Sequence, residues 1–310
     1  MFYIGTVSAV VLNQYLFFLD YPLQTGKTVI ITGGSRGISV EVVKLLLKLD
    51  MEVIVGKIIE KCGKMIKGLR ESGIKMGKTK VYKLDNSSLK SVRDFAAQIR
   101  KDYQKIHVLI NNAAVMFTPY KETENGFEEQ WGVNYLSHFL LTALLLPLLK
   151  AGGIPGQCSR IVNITSCALL LGNINFEDTN PKYVPEVGYI QSKFAQQVFT
   201  LKLQDLLQKR GLDIKAYCVH PGIVLTDLFR TTIMLKLKIF LKPLFKSPDQ
   251  GAVPIVYTSL SKDIEEYGGA YINNCSINPP KAEALDPATQ DRLFELSLKQ
   301  TQLKDFFQDV

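Results

Sequence analysis

The chain has 310 residues, 46% of them hydrophobic, and a formal net charge of +8. That apolar share rules out a disordered chain and suffices for one large α/β domain. The cationic surplus suits an anionic partner, either nucleotide phosphates or an anionic membrane surface, and with no polybasic tail, zinc-finger spacing or aromatic stacking motif nothing points to nucleic acid.

Residues Met1 to Leu19 carry no charged side chain, Asp20 supplies the first charge, and Pro22 breaks the segment. The run is about long enough for a helix to cross a ~30 Å hydrocarbon core, so residues 1–22 read as an uncleaved membrane anchor. A signal peptide is the alternative, and its cleavage would secrete the chain, but the basic n-region and a small-x-small cleavage site are missing. Lys27, the first basic residue, lies on the C-terminal side and places the following domain in the cytosol.

From there, β-branched runs alternate with helical stretches. Lys27 to Thr32 reads as a buried strand and Arg36 to Leu49 as a helix with Val40, Val43, Leu46 and Leu47 on one side. Glu52 to Val55 is the second strand, followed by a Lys-rich amphipathic helix, a strand Lys80 to Leu84, a helix from Ser88 to about Tyr103 and a strand His107 to Ile110. A long helix spans about Gly126 to Lys150, then come a strand Arg160 to Thr165, a helix Gly188 to Lys209 and a strand Asp213 to Val219. Pro287 to Val310 reads as a polar helix and tail. This alternation predicts a single doubly wound Rossmann-type α/β domain over residues 25–286, with a parallel sheet covered by helices on both faces.

Between the first strand and helix lies Thr32-Gly33-Gly34-Ser35-Arg36-Gly37-Ile38-Ser39. Glycines there allow a tight turn and a close backbone approach to a pyrophosphate seated on the helix N-terminus; an ordinary strand-to-helix turn is the plainer reading. Tyr189 and Lys193, four apart on a helix, share a face, where an ammonium can stabilise a phenolate. Ser166 ends a buried strand, at the edge where open α/β sheets place ligands. Asn134 sits inside an apolar helical run, where asparagine is a poor choice. Five scattered cysteines without a CxxC pair argue against a disulfide framework or a structural zinc, and His107, His138 and His220 lack metal-ligand spacing, so no metal is expected.

Together these motifs, with Asn111-Asn112-Ala113-Ala114 and Pro221-Gly222, resemble the short-chain dehydrogenase/reductase family over about residues 25 to 275. His107 to Lys150 and Leu244 to Gly251 are most similar to its X-linked dehydrogenase/reductase member and retinol-dehydrogenase-like relatives. The resemblance implies an NAD(P)-dependent oxidoreductase that interconverts a lipophilic alcohol of the retinoid, sterol or polyisoprenoid class and its aldehyde or ketone. Tyr189 would be the acid/base, Lys193 its electrostatic partner and ribose ligand, Ser166 the group that polarises the substrate oxygen, and Asn134 the holder of a relay water. Gly33, Ser35, Arg36, Gly37, Ile38, Asp85, Asn112, Ala113, Pro221, Gly222, Ile223 and Thr226 would join Tyr189 and Lys193 around the cofactor. Lys57 ends the second strand with no acid before Glu60, so a 2′-phosphate is accommodated and NADP(H) is expected over NAD(H).

Two family glycines are replaced, by Ser39 and Ala114, which motivates an alternative: a non-catalytic scaffold or cofactor-sensing protein that keeps the fold. Residues 231–246 combine apolar and basic side chains, as suits a lid facing a membrane and a lipophilic substrate. The expected setting is the endoplasmic reticulum or a lipid droplet, with homodimerisation through the two long helices, as is common in the family.

Overall fold

The computed structural model describes residues 21–57, 62–177, 183–224 and 245–310. Most of the expected anchor (1–22), most of the expected lid (231–246), Glu60 and Thr226 lie outside these residues.

Among the described residues, eight strands form one sheet in the order β3-β2-β1-β4-β5-β6-β7-β8. The strands are β1 (Thr28–Thr32), β2 (Glu52–Gly56), β3 (Lys78–Tyr82), β4 (Val108–Asn111), β5 (Ser159–Ile164), β6 (Ile214–His220), β7 (Tyr271–Asn273) and β8 (Ser276–Asn278). All neighbours pair in parallel except β7 and β8. The strand β1 is buried along its whole length, and its side chains alternate: Ile30 joins the core on one face while Val29 and Ile31 join the core on the other. Burial on both faces explains why it reads as an unbroken β-branched run and not as an alternating pattern.

One face is covered by α1 (Ile38–Lys48), α2 (Gly63–Glu71) and α6 (Pro248–Leu260), the other by α3 (Leu89–Asp102), α4 (Ser137–Gly152), α5 (Pro185–Lys209) and α7 (Pro287–Thr301). The helical stretch Glu129–Gly152 that contains α4 is long and apolar enough to cross a membrane. Its side chains from Trp131 to Leu149 are instead mostly buried against the sheet and the neighbouring helices, so it is a core helix.

Several boundaries differ from expectation for identifiable reasons. The third strand ends at Tyr82 and not at Leu84, which lies beyond it and fills the space beside Gly56; a Cβ on Gly56 would come within 2.8 Å of Leu84 Cδ2. The long helix begins at Glu129 and not near Gly126. Gly126 has φ +77°, and the Glu128 carboxylate caps the first turn by accepting from Gln130 N–H (2.9 Å) and Trp131 N–H (2.8 Å). Proline at the first position starts α5 at Pro185, three residues ahead of Gly188.

The C-terminal helix and tail are less polar in place than in sequence. Leu293, Leu303, Phe306 and Phe307 are buried, and Phe306 meets Phe139 of α4 (ring centroids 5.0 Å apart) and Phe199 of α5 (5.9 Å). Tyr135 and Ser297 share a hydrogen bond of 2.6 Å, and Trp131 Nε1 donates to Gln300. The two long helices are thus packed against the chain's own α7 and tail.

Candidate active site

The strand order reverses between β1 and β4, and the crevice at their C-terminal ends is a cavity of about 340 Å³. Gly33, Arg36, Gly37 and Ile38 line it from the β1–α1 loop, Lys57 from the end of β2, Asp85 from beyond β3, and Asn112 and Ala113 from beyond β4. Gly33 has φ +76°, and a Cβ on it would lie 3.0 Å from Ala113 Cα. Gly37 stands at the N-cap of α1 with φ 60° and offers no side chain to the first helical N–H groups. The backbone is therefore bare where an anion would sit, which fits a dinucleotide's diphosphate. Ser35 Oγ, also in this loop, is buried with no partner among the described residues.

Ser39 and Ala114, which replace the family's glycines, both line this cavity, and neither has a positive φ. The Ser39 hydroxyl turns inward and donates to the carbonyls of Arg36 (2.7 Å) and Gly33 (3.2 Å), tying the loop to the first turn of α1. Ala114 is not among the residues of positive φ, so its Cβ brings no backbone strain. The feature that motivated a scaffold reading is absorbed locally.

Asn112 braces the sheet: its N–H donates to Thr32 Oγ1 (2.9 Å) and its Nδ2 to Thr32 O (2.8 Å). Thr32 Oγ1 also accepts from Ala113 N–H, so its own hydrogen goes to His138 Nε2 (2.9 Å), while His138 Nδ1–H donates to Asn134 O (3.1 Å). The Asp85 carboxylate accepts from the backbone and hydroxyl of Ser87 (2.9 and 2.7 Å), which holds it at the cavity wall.

At the end of β5, Ser166 caps the 3₁₀ turn Cys167–Leu171, its hydroxyl accepting from Ala168 N–H (3.3 Å), and it stands near enough to the Tyr189 phenol to lower its pKa. Thr165 is turned away, its hydroxyl donating to Lys193 O (2.9 Å). Tyr189 and Lys193 are buried, at 5% and 3% exposure. Burial pushes the phenol up to about 12, with Ser166 acting against it. Burial likewise pushes the Lys193 ammonium down to about 7.

The expected stabilisation of a Tyr189 phenolate by Lys193 is therefore not what dominates in the ligand-free chain. Lys193 Nζ donates to Ile164 O (2.8 Å) and stands 5.7 Å from the centre of the Tyr189 ring. Desolvation outweighs the mutual attraction that spacing on a helix suggests.

Asn134 lies in a π-helical segment, Gly132–Leu136, between the turn Glu129–Trp131 and α4. Both hydrogens of its Nδ2 are used, on Val115 O (2.9 Å) and Ser192 Oγ (3.0 Å), and its Oδ1 accepts from Val115 N–H (2.9 Å). The side chain is a brace between the β4 loop and α5. Gly222 has φ +96° and lies under Lys246; a Cβ there would be 2.6 Å from Lys246 Cδ. Ile223 is half exposed at 48%.

Sequence reasoning passes over Gln130 and names Lys246 only as the end of the lid 231–246. Gln130 is a buried amide in the same apolar run as Asn134, and the argument that singled out Asn134 applies to it equally. Lys246, whose Nζ donates to Asn274 Oδ1, meets the site only through the fold.

A family profile for short chain dehydrogenase matches residues 27–234. Zebrafish (Danio rerio) polyprenol dehydrogenase is 37% identical over 298 residues, 94% of this chain and 92% of that protein. Mouse (Mus musculus) retinol dehydrogenase 13 is 38% identical over 312 residues, covering 96% and 91%. Among solved structures, an uncharacterised protein from Mycobacterium paratuberculosis superposes with TM-score 0.73 at 29% identity over 92% of this chain and 97% of that one. The Pseudomonas aeruginosa RhlG/NADP complex shares the fold at TM-score 0.65 and 21% identity, covering 81% and 95%. The chain belongs to the short-chain dehydrogenase/reductase family. It is an NAD(P)-dependent oxidoreductase of the alcohol/carbonyl class with retinol-dehydrogenase-like relatives.

Proposed function

We propose that the chain is a membrane-anchored, NADP(H)-dependent oxidoreductase that interconverts a lipophilic alcohol and its aldehyde or ketone, of the retinoid, sterol or polyisoprenoid class. The observation that carries this reading is the convergence of Ser166, Tyr189 and Lys193 at the end of β5, on the same sheet that forms the glycine-lined crevice. Bound nicotinamide dinucleotide supplies the hydride carrier. In the oxidising direction, as that carrier would accept the substrate hydride, the O–H proton passes to the Tyr189 phenolate. In reduction Tyr189 returns the proton to the carbonyl oxygen. Ser166 holds the substrate oxygen at the phenol. Lys193, held near 7 by burial, would gain charge beside an anionic cofactor and would then favour the phenolate. Asn134 keeps the β4 loop and α5 in register.

NADP(H) is favoured because Lys57 and Arg36 line the crevice and the described end of β2 carries no carboxylate. A lipophilic substrate is supported by apolar side chains exposed on the segments that carry Ser166, Tyr189 and Pro221: Leu170, Leu171 (81%), Val187 and Ile223. The relatives' names, which mention retinol and polyprenol, agree with that class. The charge-free residues 1–19 and the basic, apolar stretch 231–246 suit a membrane surface, with the domain facing the cytosol at the endoplasmic reticulum or a lipid droplet. Purified protein given NADP or NADPH with retinoid and polyprenoid substrates is expected to turn over, and Tyr189→Phe to lose on the order of 10²-fold or more. Unchanged turnover in that variant overturns the assignment.

A further inference from the structure

Phe117 adopts a backbone conformation that phenylalanine rarely takes. Its φ is +52°, in the left-handed region where a Cβ crowds the main chain. Such strain persists only where the surroundings over-determine it, and here a single buried amide does so. Phe117 N–H donates to Gln130 Oε1 at 2.7 Å. Gln130 is fully buried, and its Nε2 donates to Pro185 O (2.8 Å) and the Tyr183 hydroxyl (3.2 Å). Tyr183 in turn donates to Thr118 O. One side chain thus joins the loop leaving β4 to the first residue of α5, four residues ahead of Tyr189. Gly188 completes the fit, because a Cβ there would lie 2.9 Å from Gln130 Nε2.

The result is an edge-to-face contact between Phe117 and Tyr189, with ring centroids 5.3 Å apart and planes at 81°, a favoured aromatic geometry. We propose that Phe117 is a positioning residue for Tyr189, held by Gln130 so that its ring fixes the phenol beside Ser166 and keeps water from it. This rests on the reading of Tyr189 as the acid/base. An ordinary φ at position 117 would swing the ring off the phenol, so the strained backbone is what delivers the contact.

A positioning role has a signature that a purely structural one lacks. Burial is the first cause of the raised phenol pKa, so removing the ring admits water and lowers it. Alcohol oxidation needs the phenolate, and its pH limb in kcat then moves to lower pH, while the KM for NADP, set by the glycine crevice, stays put.

The test is steady-state oxidation of all-trans-retinol by the full chain with NADP, or of a polyprenol where retinol is not turned over, across pH. Phe117→Gly, which removes the ring and relieves the strain, and Gln130→Leu, which removes the clamp, are expected to lower kcat about tenfold or more. Both should move the oxidative limb to lower pH with the KM for NADP unchanged, and Phe117→Tyr should restore the wild-type profile. Binding of NADPH, followed by its fluorescence, checks that each variant is folded. Where Phe117→Gly does not bind NADPH, Phe117→Leu replaces it with the same expected and overturning results. Wild-type kcat and pH profile in these variants, alongside an inactive Tyr189→Phe, overturns the positioning role alone. An active Tyr189→Phe, or a wild type without turnover on either alcohol, overturns both readings.

Discussion

Lys193 shows how far an environment can move a side chain from its sequence expectation. Held near 7 by burial, it is largely neutral at pH 8 in the ligand-free chain. Anionic NADPH favours the charged form and raises that pKa, so binding at pH 8 takes up a proton. Calorimetry of NADPH binding in buffers of different ionisation enthalpy is expected to show uptake of a fraction of a proton, absent in Lys193→Met; equal uptake in both removes Lys193 as its source. Ser39 is a second case. Its single hydroxyl hydrogen is shared between Arg36 O and Gly33 O, so Ser39→Gly removes that donor and a Cβ from the crevice wall. Its effect on NADPH affinity should stay within about tenfold, on the order of 1 kcal/mol.

Among elements, the β1–α1 loop and α5 hold the site, and they differ in how much of them is legible. The loop is visible in the sequence because its requirements are local: positive φ and close approach demand glycine at Gly33 and Gly37. Gly33→Ala combines a left-handed alanine with a Cβ 3.0 Å from Ala113 Cα. It is expected to weaken NADPH binding by about fivefold or more, from a strain of roughly 1–3 kcal/mol, as read by fluorescence titration; unchanged affinity rejects the role given to this turn. The helix α5 displays Tyr189 and Lys193 plainly, but the residues that aim it come from elsewhere: Ser192 is bound by Asn134, Pro185 by Gln130, and Tyr189 touches Phe117. The strands β7 and β8 have three residues each, too few for any period to show, and they exist because β6 offers an edge for pairing. The helix α6 announces itself only by Ser247 and Gln250, a capping box.

For the molecule as a whole, stability depends on what the two helical layers enclose. Phe306 closes an aromatic cluster between α4 and α5, and Phe306→Ala is expected to cost about 3–5 kcal/mol, read from denaturant unfolding. His138, fully buried and pushed down to about 3 from its ordinary 6.5, joins Thr32 at the crevice to Asn134 in the π segment. Its pKa is depressed on folding, so its neutral form is the native one. Stability is intact above about pH 6.5 and falls as pH drops toward 3. His138→Gln has no ring to titrate, and its melting temperature should fall less between pH 7 and 4 than that of the wild type. His220, pushed down to about 4, acts in the same direction and leaves part of the slope. An identical slope in the variant removes His138 from the account.

The amino-acid sequence by itself determined the alternation of strands and helices, the glycine turn and the order of Ser166, Tyr189 and Lys193, because each depends on periodicity or on steric demands within a few residues. Only the tertiary structure decided that α7 covers the two long helices, that burial governs Tyr189 and Lys193, and that a strained Phe117 meets the phenol. Those outcomes arise from packing and desolvation between segments tens to more than a hundred residues apart, which no local pattern records.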